Sequence, residues 1–379
     1  MHMKICFLCG IFPPDVGGPA NYAFQLAKEL TKEGIIVKVL CYADAKQGFP
    51  EHSFLVERVS RKIPKIIRHF VYFFKTLKLG KDCQTFYVFS AVSAGLPAIL
   101  ANKILKKQIV IRLGGDFLWE KASEKKNFKF GLQEYYGLPK TLKEQFFIIL
   151  QKKIFKSANK IIFSTNFQKE IYKKHFGLIE RNLVVISNPF PDTAKISENF
   201  ISQNFVQLIF AGRLIKLKNL DFLLEVFTDV LSKTDLALRL KIIGDGGEKE
   251  NLIKKAKKLG IIDKVIFEGV LPRAKLLLAI QASYLCLLPS LSEISPNFAL
   301  ESLAFKKPIL ITQETGFADE FNGKMVFLDA KDKKLWVEKI IWFLDKNNYQ
   351  NFQQQMNQGL VFKTWQDTSK EHLKLFTSL

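Results

Sequence analysis

Two glutamates, Glu293 and Glu301, have the type and spacing of residues that could bind a ligand. Glu293 lies in a loop that follows the predicted strand Tyr284 to Leu288, and Glu301 falls in the second turn of the helix predicted next. A carboxylate in that position could accept hydrogen bonds from sugar hydroxyls. The alternative is that both glutamates simply face solvent.

A helix is predicted to begin between these two glutamates. Ser295 is a preferred N-cap residue, and Pro296 suits the first helical position, which Asn297 follows. The unpaired N–H groups and the dipole at a helix N-terminus attract anions. Ser295, Pro296 and Asn297 are therefore candidates for contacting a phosphate group.

A cationic set follows the predicted strand Val206 to Ala211. The loop Gly-Arg-Leu-Ile-Lys-Leu-Lys places Gly212, Arg213 and Lys218 just beyond the carboxyl end of that strand. A guanidinium can form paired hydrogen bonds with phosphate oxygens, and an ammonium is a compact counter-charge. Basic residues in loops are usually solvated, so that alternative stays open.

Glycine pairs follow two further predicted strands. Gly17 and Gly18 lie in the loop after the first strand, and Gly244 and Gly246 lie in the turn after the strand Leu238 to Ile243. Because glycine has no Cβ atom, it lets the backbone approach a ligand closely. Turn formation alone would also explain both pairs.

Strand-like and helix-like runs alternate along the whole chain and would bring these loops together. In the first half, the predicted strands are Lys4 to Leu8, Ile35 to Tyr42, Thr85 to Phe89, Gln108 to Leu113 and Lys160 to Ser164. In the second half, they are Val206 to Ala211, Leu238 to Ile243, Lys264 to Phe267, Tyr284 to Leu288 and Pro308 to Thr312. This alternation is typical of β-α-β units with parallel sheets.

The alternation breaks around Asn188-Pro-Phe-Pro191, and 379 residues exceed what one hydrophobic core usually supports. We therefore predict an α/β protein with two Rossmann-like domains whose parallel sheets face each other across a cleft. Ligands in such folds bind beyond the carboxyl ends of the strands. The predicted bounds are 1–190 for the N-terminal domain, 191–204 for a linker, 205–361 for the C-terminal domain and 362–379 for a C-terminal helix.

The formal net charge of +21 suggests an anionic partner, although lysines scattered along the chain could also reflect a compositional bias. These lysines form no single stripe and no nucleic-acid-binding module is recognisable, so nucleic acid is not expected as a partner. The longest uncharged stretch, Cys83 to Asn102, contains too many polar residues for a membrane span. Because no signal-peptide pattern is seen, we expect a cytoplasmic location.

No metal site is expected. Cys6 and Cys9 have C-x-x-C spacing, but they fall in the first predicted strand and no second ligand pair follows. Core thiols in a reducing compartment are the favoured interpretation. The chain also has no Asp-x-Asp pair that could chelate a metal on a diphosphate.

Residues 62–78 predict a basic amphipathic helix. One face beyond Pro64 carries apolar side chains: Ile66, Phe70, Phe73, Phe74 and Leu77. The rest of the helix surface carries cations: Lys65, Arg68, Lys75 and Lys78. This pattern is typical of a helix lying on an anionic membrane surface, and equally of a helix packed on its own sheet.

Taken together, these segments resemble glycosyltransferase family 4, whose members are retaining enzymes with the two-domain GT-B fold. The most specific mark is the Glu-x7-Glu pattern of Glu293 and Glu301, within Pro-Ser-x-x-Glu and Glu-x-x-Ala-x-x-Lys-Pro contexts. The Gly-Arg-Leu…Lys-Asn segment, the Gly-Asp-Gly turn and Phe267-Glu-Gly269 occur upstream in the order typical of the family. The resemblance covers nearly the whole chain.

The resemblance implies that the chain moves a hexose-type sugar from a UDP- or GDP-sugar to a glycan or lipid-linked acceptor of surface polysaccharide synthesis. Arg213 and Lys218 would hold the donor diphosphate and stabilise the leaving nucleotide. Glu301 would bind the ribose hydroxyls, and Glu293 would face the transferred sugar. The glycines named above would line the donor site, and the loop of Gly17 and Gly18 would close over the diphosphate.

Further consequences of the resemblance concern the rest of the molecule. The segment from Phe267 to Arg273 would lie near the base. The helix from Thr364 to Phe376 would cross back onto the N-terminal domain. No metal cofactor is expected, and the enzyme would be cytoplasmic or peripheral on the inner face of the membrane, which residues 62–78 would contact.

Two positions depart from the pattern of the family. Ile294 stands where many members have glycine, and the turn after the strand Gln108 to Leu113 lacks the usual histidine. Asp116 is the ionisable group of that Gly-Gly-Asp turn, so it is the candidate for orienting donor or acceptor. A turn-stabilising aspartate is the alternative. A nucleotide-sugar epimerase of the same fold, a basic nucleic-acid-binding protein and a catalytically weak homologue also stay open.

Overall fold

The computed structural model describes residues 3–15, 17–44, 53–125, 128–192 and 204–379. They fall into two compact units. Unit 1 is drawn from Met1–Leu118, Pro139–Asn188 and Lys363–Leu379, and unit 2 from Trp119–Leu138 and Pro189–Phe362. Most of the predicted linker, 193–203, lies outside the described residues.

The sheet of unit 1 contains seven parallel strands among the described residues, in the order β3-β2-β1-β4-β5-β6-β7. The strands are β1 (Lys4–Cys9), β2 (Ile36–Tyr42), β3 (Leu55–Val59), β4 (Thr85–Val88), β5 (Gln108–Leu113), β6 (Lys160–Phe163) and β7 (Leu183–Val185). Residues Ile5 to Cys9 of β1 are fully buried, as expected where helices cover both faces of a parallel sheet. The strand order reverses between β1 and β4.

Unit 2 has a second parallel sheet, in the order β10-β9-β8-β11-β12-β13. Its strands are β8 (Val206–Ala211), β9 (Leu238–Ile243), β10 (Val265–Glu268), β11 (Leu285–Leu288), β12 (Ile309–Thr312) and β13 (Val326–Leu328). All four residues of β11 and of β12 are buried. Here the order reverses between β8 and β11. These two sheets confirm the predicted fold class.

Helices connect the strands of both units. The helices up to β7 are α1 (Gly18–Lys32), α2 (Lys65–Gly80), α3 (Gly95–Leu105), α4 (Phe117–Ala122), α5 (Leu132–Gly137), α6 (Leu142–Lys156) and α7 (Asn166–Phe176). The later ones are α8 (Leu220–Leu231), α9 (Lys249–Lys258), α10 (Arg273–Gln281), α11 (Asn297–Ala304), α12 (Lys333–Leu344), α13 (Lys346–Asn357) and α14 (Trp365–Thr377). Short 3-10 helices occupy Glu180–Asn182, Lys216–Lys218 and Ile262–Lys264. None of the helices within the described residues is long and apolar enough to cross a membrane.

The C-terminal helix α14 belongs to unit 1 and packs against α1. His372 of α14 is fully buried, and its Nε2 atom lies 2.8 Å from the hydroxyl of Tyr87 in β4. Its Nδ1–H donates to the carbonyl of Thr368 over 2.7 Å. Burial, with a further contribution from Arg112, lowers the pKa of His372 to about 3, so the imidazole stays neutral at physiological pH.

Two sequence predictions about this framework have structural outcomes. The five cysteines are free and buried, in agreement with core thiols. In contrast, the segment Trp119–Leu138, predicted within the N-terminal domain of 1–190, belongs to unit 2. The physical reason is a set of polar contacts between this segment and the rest of unit 2, and these contacts are described below.

Candidate functional site

The loops that follow β8 and β9 are joined through the backbone of their glycines. The N–H of Gly212 donates to the carbonyl of Ile243 over 3.0 Å, and a Cβ atom on Gly244 would lie 1.9 Å from the Gly212 carbonyl oxygen. Gly244 also has a φ of +136°. A Cβ atom on Gly246 would lie 2.3 Å from the carbonyl oxygen of Leu214. Glycine is therefore needed at both positions so that the two loops can pack together.

Lys218 and Glu293 form an ion pair at the carboxyl ends of β8 and β11. The Nζ atom of Lys218 donates to Oε1 of Glu293, and the hydroxyl of Ser290 donates to the same oxygen over 2.5 Å. The N–H of Leu291 bonds to the carbonyl of Leu217 over 2.9 Å, which ties the two loops together. Because both side chains are largely buried, this pair has a defined geometry.

The backbone around Glu293 is fixed by the loop that follows β12. The Glu293 N–H donates to the carbonyl of Glu314 over 2.9 Å, and the Gly316 N–H donates to the carbonyl of Glu293 over 3.0 Å. The side chain of Ile294, which replaces the glycine of many family members, is buried. The loop that faces the predicted sugar position is thus held on both sides.

Glu301 lies on α11 and pairs with a residue from another helix. The Nη1 atom of Arg273, the first residue of α10, donates to Oε1 of Glu301 over 2.7 Å. The Glu301 side chain is 4% exposed and that of Arg273 is 47% exposed. The buried carboxylate of Glu301 is therefore held by Arg273, whose guanidinium also reaches solvent.

The start of α11 differs from the sequence prediction. Pro296 is the N-cap residue and Asn297 the first helical residue, with no side-chain capping bond, so Ser295 is not the N-cap. The reason is that Pro296 has extended backbone angles while its carbonyl accepts the N–H of Ala299 over 3.1 Å. Glu301 still falls in the second turn of the helix.

Arg213 is engaged by a glutamate that the sequence did not single out. Its Nη1 and Nη2 atoms lie 3.1 and 3.0 Å from the two carboxylate oxygens of Glu120. The two residues are 93 positions apart, and no local pattern connects them. A carboxylate that binds both guanidinium nitrogens occupies the same donors that would bind phosphate oxygens.

Further contacts attach the segment Trp119–Leu138 to unit 2. The Nζ atom of Lys216 donates to the carbonyl of Lys125 over 3.0 Å, and Glu314 accepts the N–H of Gln133 over 2.8 Å. A Cβ atom on Gly131 would lie 1.9 Å from Glu314 Oε2, so a larger residue there would displace the Glu314 carboxylate. Burial raises the pKa of Glu314, while the hydrogen bond from Gln133 opposes that effect.

Three predicted site residues lie in unit 1. Gly17 is the N-cap of α1 and Gly18 is its first residue. Asp116 is 1% exposed, and the hydroxyl of Tyr172 in α7 donates to its Oδ2 atom over 2.8 Å. This contact fixes the position of the carboxylate within unit 1.

Unit 2 brings together the predicted site residues of the second half. A Cβ atom on Gly212 would lie 3.9 Å from Cε of Lys218, so the loop with Arg213 adjoins the Lys218–Glu293 pair. The loop from Glu293 leads through Ser295 into α11 and Glu301. All of these residues follow β8 and β11, where the strand order reverses. Open α/β sheets bind their ligands at this place.

Comparison with known families agrees with this arrangement. A model described as "Glycosyl transferases group 1" matches residues 192–359, and one described as "Glycosyltransferase Family 4" matches residues 16–193. The chain belongs to glycosyltransferase family 4, which confirms the predicted family.

Individual relatives are distant in sequence. An uncharacterised glycosyltransferase of Haemophilus influenzae is 26% identical over 297 residues, covering 78% of this chain and 77% of that protein. A mannosylfructose-phosphate synthase of Agrobacterium fabrum is 25% identical over 357 residues, covering 84% and 77%.

Solved structures of low identity share the fold over the full length. A sucrose-phosphate synthase from Thermosynechococcus elongatus has a TM-score of 0.77 at 14% identity, covering 100% of this chain and 99% of that one. Anabaena HepE in complex with UDP-glucose has a TM-score of 0.76 at 17% identity, covering 100% of both chains. The protein therefore has the GT-B fold.

Proposed function

We propose that this glycosyltransferase moves a hexose-type sugar from a UDP- or GDP-sugar to an acceptor hydroxyl and retains the anomeric configuration. The observation that carries the proposal is the placing of Arg213, Lys218, Glu293 and Glu301 at the reversal of strand order in unit 2. Anabaena HepE, which shares the fold, is in complex with UDP-glucose. This supports a nucleotide-sugar donor for the present chain.

In this proposal, Arg213 and Lys218 bind the donor diphosphate. Both are cations at the end of β8, and the guanidinium of Arg213 already binds a planar anionic group, the Glu120 carboxylate. As the bond between the sugar and the phosphate breaks, negative charge develops on the leaving phosphate. Cations fixed beside that charge stabilise the transition state more than the ground state.

The remaining residues of unit 2 bind the donor at both ends. Glu301 accepts hydrogen bonds from the ribose hydroxyls, and Glu293 with the backbone of Ser295, Pro296 and Asn297 faces the transferred sugar and the phosphate next to it. Their support is the rigid frame around Glu293 and the buried position of Glu301. The N–H groups at the start of α11 favour an anion.

From unit 1, the loop of Gly17 and Gly18 covers the diphosphate, and Asp116 orients donor or acceptor. The acceptor oxygen attacks on the same face from which the nucleotide departs. The bond from the anomeric carbon to the phosphate oxygen breaks as the bond to the acceptor oxygen forms, and the acceptor proton passes to the leaving phosphate. No metal ion takes part, because Arg213 and Lys218 supply the positive charge.

The proposed acceptor is a glycan or a lipid-linked glycan of surface polysaccharide synthesis, used at the cytoplasmic face of an anionic membrane. Relatives support this context: an Erwinia amylovora relative is an amylovoran biosynthesis glycosyltransferase, and WaaG, which shares the fold, is involved in lipopolysaccharide biosynthesis. Helix α2 exposes three apolar side chains of the predicted membrane face: Ile66, Phe70 and Phe74.

Two further helices of unit 1 also expose apolar side chains. Helix α3 packs against α2, and α6 packs against α3. Both expose further large apolar side chains: Leu100, Ile104, Leu142, Phe146 and Ile149. Together with the exposed residues of α2, these side chains form what we call the apolar helix surface of unit 1. Large exposed apolar patches mark contact with membranes or other proteins.

The donor site is tested by thermal stabilisation with UDP, GDP and ADP in buffer containing EDTA. Ligand at about 100 times its Kd should stabilise the wild-type protein by about 2.7 kcal/mol. We expect one nucleotide class to stabilise the protein and Arg213→Ala to lose most of the effect. Arg239→Ala is the matched control, because Arg239 is an exposed arginine in β9 that packs on Phe205.

Three results would contradict parts of the proposal. If no nucleotide stabilises the wild-type protein, the donor site is not functional. If EDTA abolishes a shift that a divalent metal restores, binding of the diphosphate depends on metal. If the purified enzyme interconverts a UDP-sugar with its epimer when no acceptor is present, it is an epimerase of the same fold.

A further inference from the structure

A cavity of about 390 Å³ lies in unit 1, and all of its lining residues belong to that unit. Gly10 lines it directly after β1, Tyr42 at the end of β2 and Ser93 in the loop after β4. The strand order of this sheet reverses between β1 and β4, so the cavity lies where open α/β sheets bind ligands. Its volume is within the range of small-molecule sites.

The charged side chains of the cavity leave an excess of two positive charges. Asp15 neutralises Arg61 through two contacts, one of them 3.0 Å between Arg61 Nη1 and Asp15 Oδ1. Lys65 and Arg68 also line the cavity. Neither forms an ion pair with a carboxylate in the part of the chain that the structure describes. Two such cations side by side repel each other, and an anion between them would remove that repulsion.

The surrounding contacts hold Arg68 in place. Arg68 Nη1 donates to the carbonyl of Arg61 over 3.3 Å, and its guanidinium lies 5.7 Å from the ring centroid of Tyr42. The Tyr42 hydroxyl donates to the carbonyl of Ser93 over 3.0 Å, so the Nδ1–H of His69, 2.8 Å away, donates to that hydroxyl. Burial first, and then Arg68 and Lys65, lowers the pKa of His69. The positive potential of the two cations therefore acts inside the cavity.

We propose that this cavity binds a phosphate group of the acceptor, with Lys65 and Arg68 as its principal ligands. A phosphate monoester carries a charge of about −1.5 to −2 at neutral pH. This charge matches the excess of two cations, and the planar guanidinium of Arg68 can bind two phosphate oxygens. The inference rests on the proposed transferase function, because it names the chemistry of its acceptor.

Two acceptor sources share this chemistry. One is a soluble sugar phosphate, for which the cavity has room beside the phosphate. The other is a lipid-anchored glycan that carries a phosphate monoester, the group that phosphatidic acid also carries. Lys65 begins α2, and the next residues, Ile66 and Ile67, are 73% and 54% exposed, so a lipid chain could leave the cavity along an apolar surface.

The experiment measures binding of glucose 6-phosphate, with glucose as its unphosphorylated match, by titration calorimetry. A second arm measures co-sedimentation with vesicles of phosphatidylcholine that contain phosphatidic acid. The test variant is the double substitution Lys65→Gln with Arg68→Gln. The control is Lys257→Gln with Lys258→Gln, which removes the same charge from two exposed lysines at the end of α9 in unit 2. Thermal stabilisation by the preferred nucleotide is measured on all of the proteins.

We expect the test variant to lose about tenfold or more of its affinity for glucose 6-phosphate or for the vesicles, because charge-assisted hydrogen bonds are lost. The control should change neither by more than about twofold, and the nucleotide response should stay unchanged in both variants. Loss confined to glucose 6-phosphate identifies a soluble acceptor, and loss confined to the vesicles identifies a lipid phosphate.

Two results would overturn the inference. One is equal binding by the test and control variants in both arms. The other is failure of the wild-type protein to bind either probe. Nucleotide stabilisation is measured separately, so neither result contradicts the proposed donor site. If no nucleotide stabilises the protein, the proposed transferase function itself is contradicted.

Discussion

Asp116 is a predicted catalytic residue, and its surroundings are compatible with either a substrate-orienting role or a structural role. Its carboxylate is buried and accepts a hydrogen bond from Tyr172. A side chain in this position could orient a substrate, or it could serve only to join β5 and α7. Two substitutions, one that removes the charge and one that removes the hydrogen bond, distinguish these roles.

We expect Asp116→Asn to lower kcat by about tenfold or more, since the charge that orients the substrate is removed. Tyr172→Phe removes the hydrogen bond but keeps the carboxylate, so kcat should fall far less. Tyr172→Phe should lose about 1–3 kcal/mol of stability, as expected for a buried hydrogen bond, whereas the amide oxygen of Asp116→Asn can still accept that bond and the variant should lose less. If Asp116→Asn keeps the wild-type kcat and only its melting temperature falls, the aspartate is structural.

For single residues, the sequence predicted which side chains belong to the candidate site but not which side chains they contact. The Glu-x7-Glu pattern predicted Glu293 and Glu301, and both lie in unit 2 where that pattern suggested. Glu120 and Glu314 were missed because their contacts, to Arg213 and to Gln133, span 93 and 181 positions of the chain. Only folding brings such residues together, and no local spacing signals it.

At the scale of single elements, periodicity alone did not decide whether the apolar side chains of α2 pack on their own sheet or face outward. The helix buries Tyr72, Thr76 and Leu79 on its own unit, so part of its apolar surface has the ordinary packing role. Phe70 and Phe74 on the other side are 61% and 64% exposed. The structure therefore contains both a packed face and an apolar face that no described residue covers.

We expect the double substitution Phe70→Ser with Phe74→Ser to reduce co-sedimentation with anionic vesicles by about tenfold or more, since each phenylalanine contributes apolar area to insertion. The control replaces exposed apolar residues outside the apolar helix surface, Ile179→Ser with Leu236→Ser. Nucleotide stabilisation should be unchanged in both variants. Equal vesicle binding by the two would show that this face does not contact the membrane.

Strands were predicted where apolar runs are long and were missed where they are short. The predictions for β5, β8 and β9 have the observed bounds, because at least four of the six residues in each of these interior strands are apolar. In contrast, β3, β7 and β13 were not predicted. They are edge strands of five, three and three residues whose side chains are largely half-exposed. An edge strand needs no long apolar run, so its sequence resembles a loop.

For the molecule as a whole, the neutral His372 makes stability depend on pH. Its folded-state pKa is about 3, below the ordinary value of 6.5, so between these values the unfolded chain binds a proton that the native protein does not. The stability is therefore complete above about pH 6.5 and is lost as the pH falls, by up to about 1.4 kcal/mol per pH unit.

The prediction is checked by urea unfolding of wild type and His372→Gln at several pH values from 7 downward, about one unit apart. The variant should be less stable at pH 7, because the bonds to Tyr87 and Thr368 are altered, yet its free energy of unfolding should fall less steeply with pH. His175→Gln is the comparison, since His175 is only partly buried. An unchanged slope in His372→Gln would show that this imidazole does not control the acid response.

The alternation of the chain between the units has a consequence for its synthesis and engineering. Five consecutive segments alternate between unit 1 and unit 2, so the polypeptide passes from one to the other four times. During translation, unit 1 lacks α14 until residues 363–379 leave the ribosome, and the Tyr87 hydroxyl in β4 lacks its contact with His372 before then. A chimera joined once near residue 190 would therefore separate Glu120 from Arg213 and α14 from its sheet. An exchange of donor specificity between relatives needs a junction at each of the four crossings.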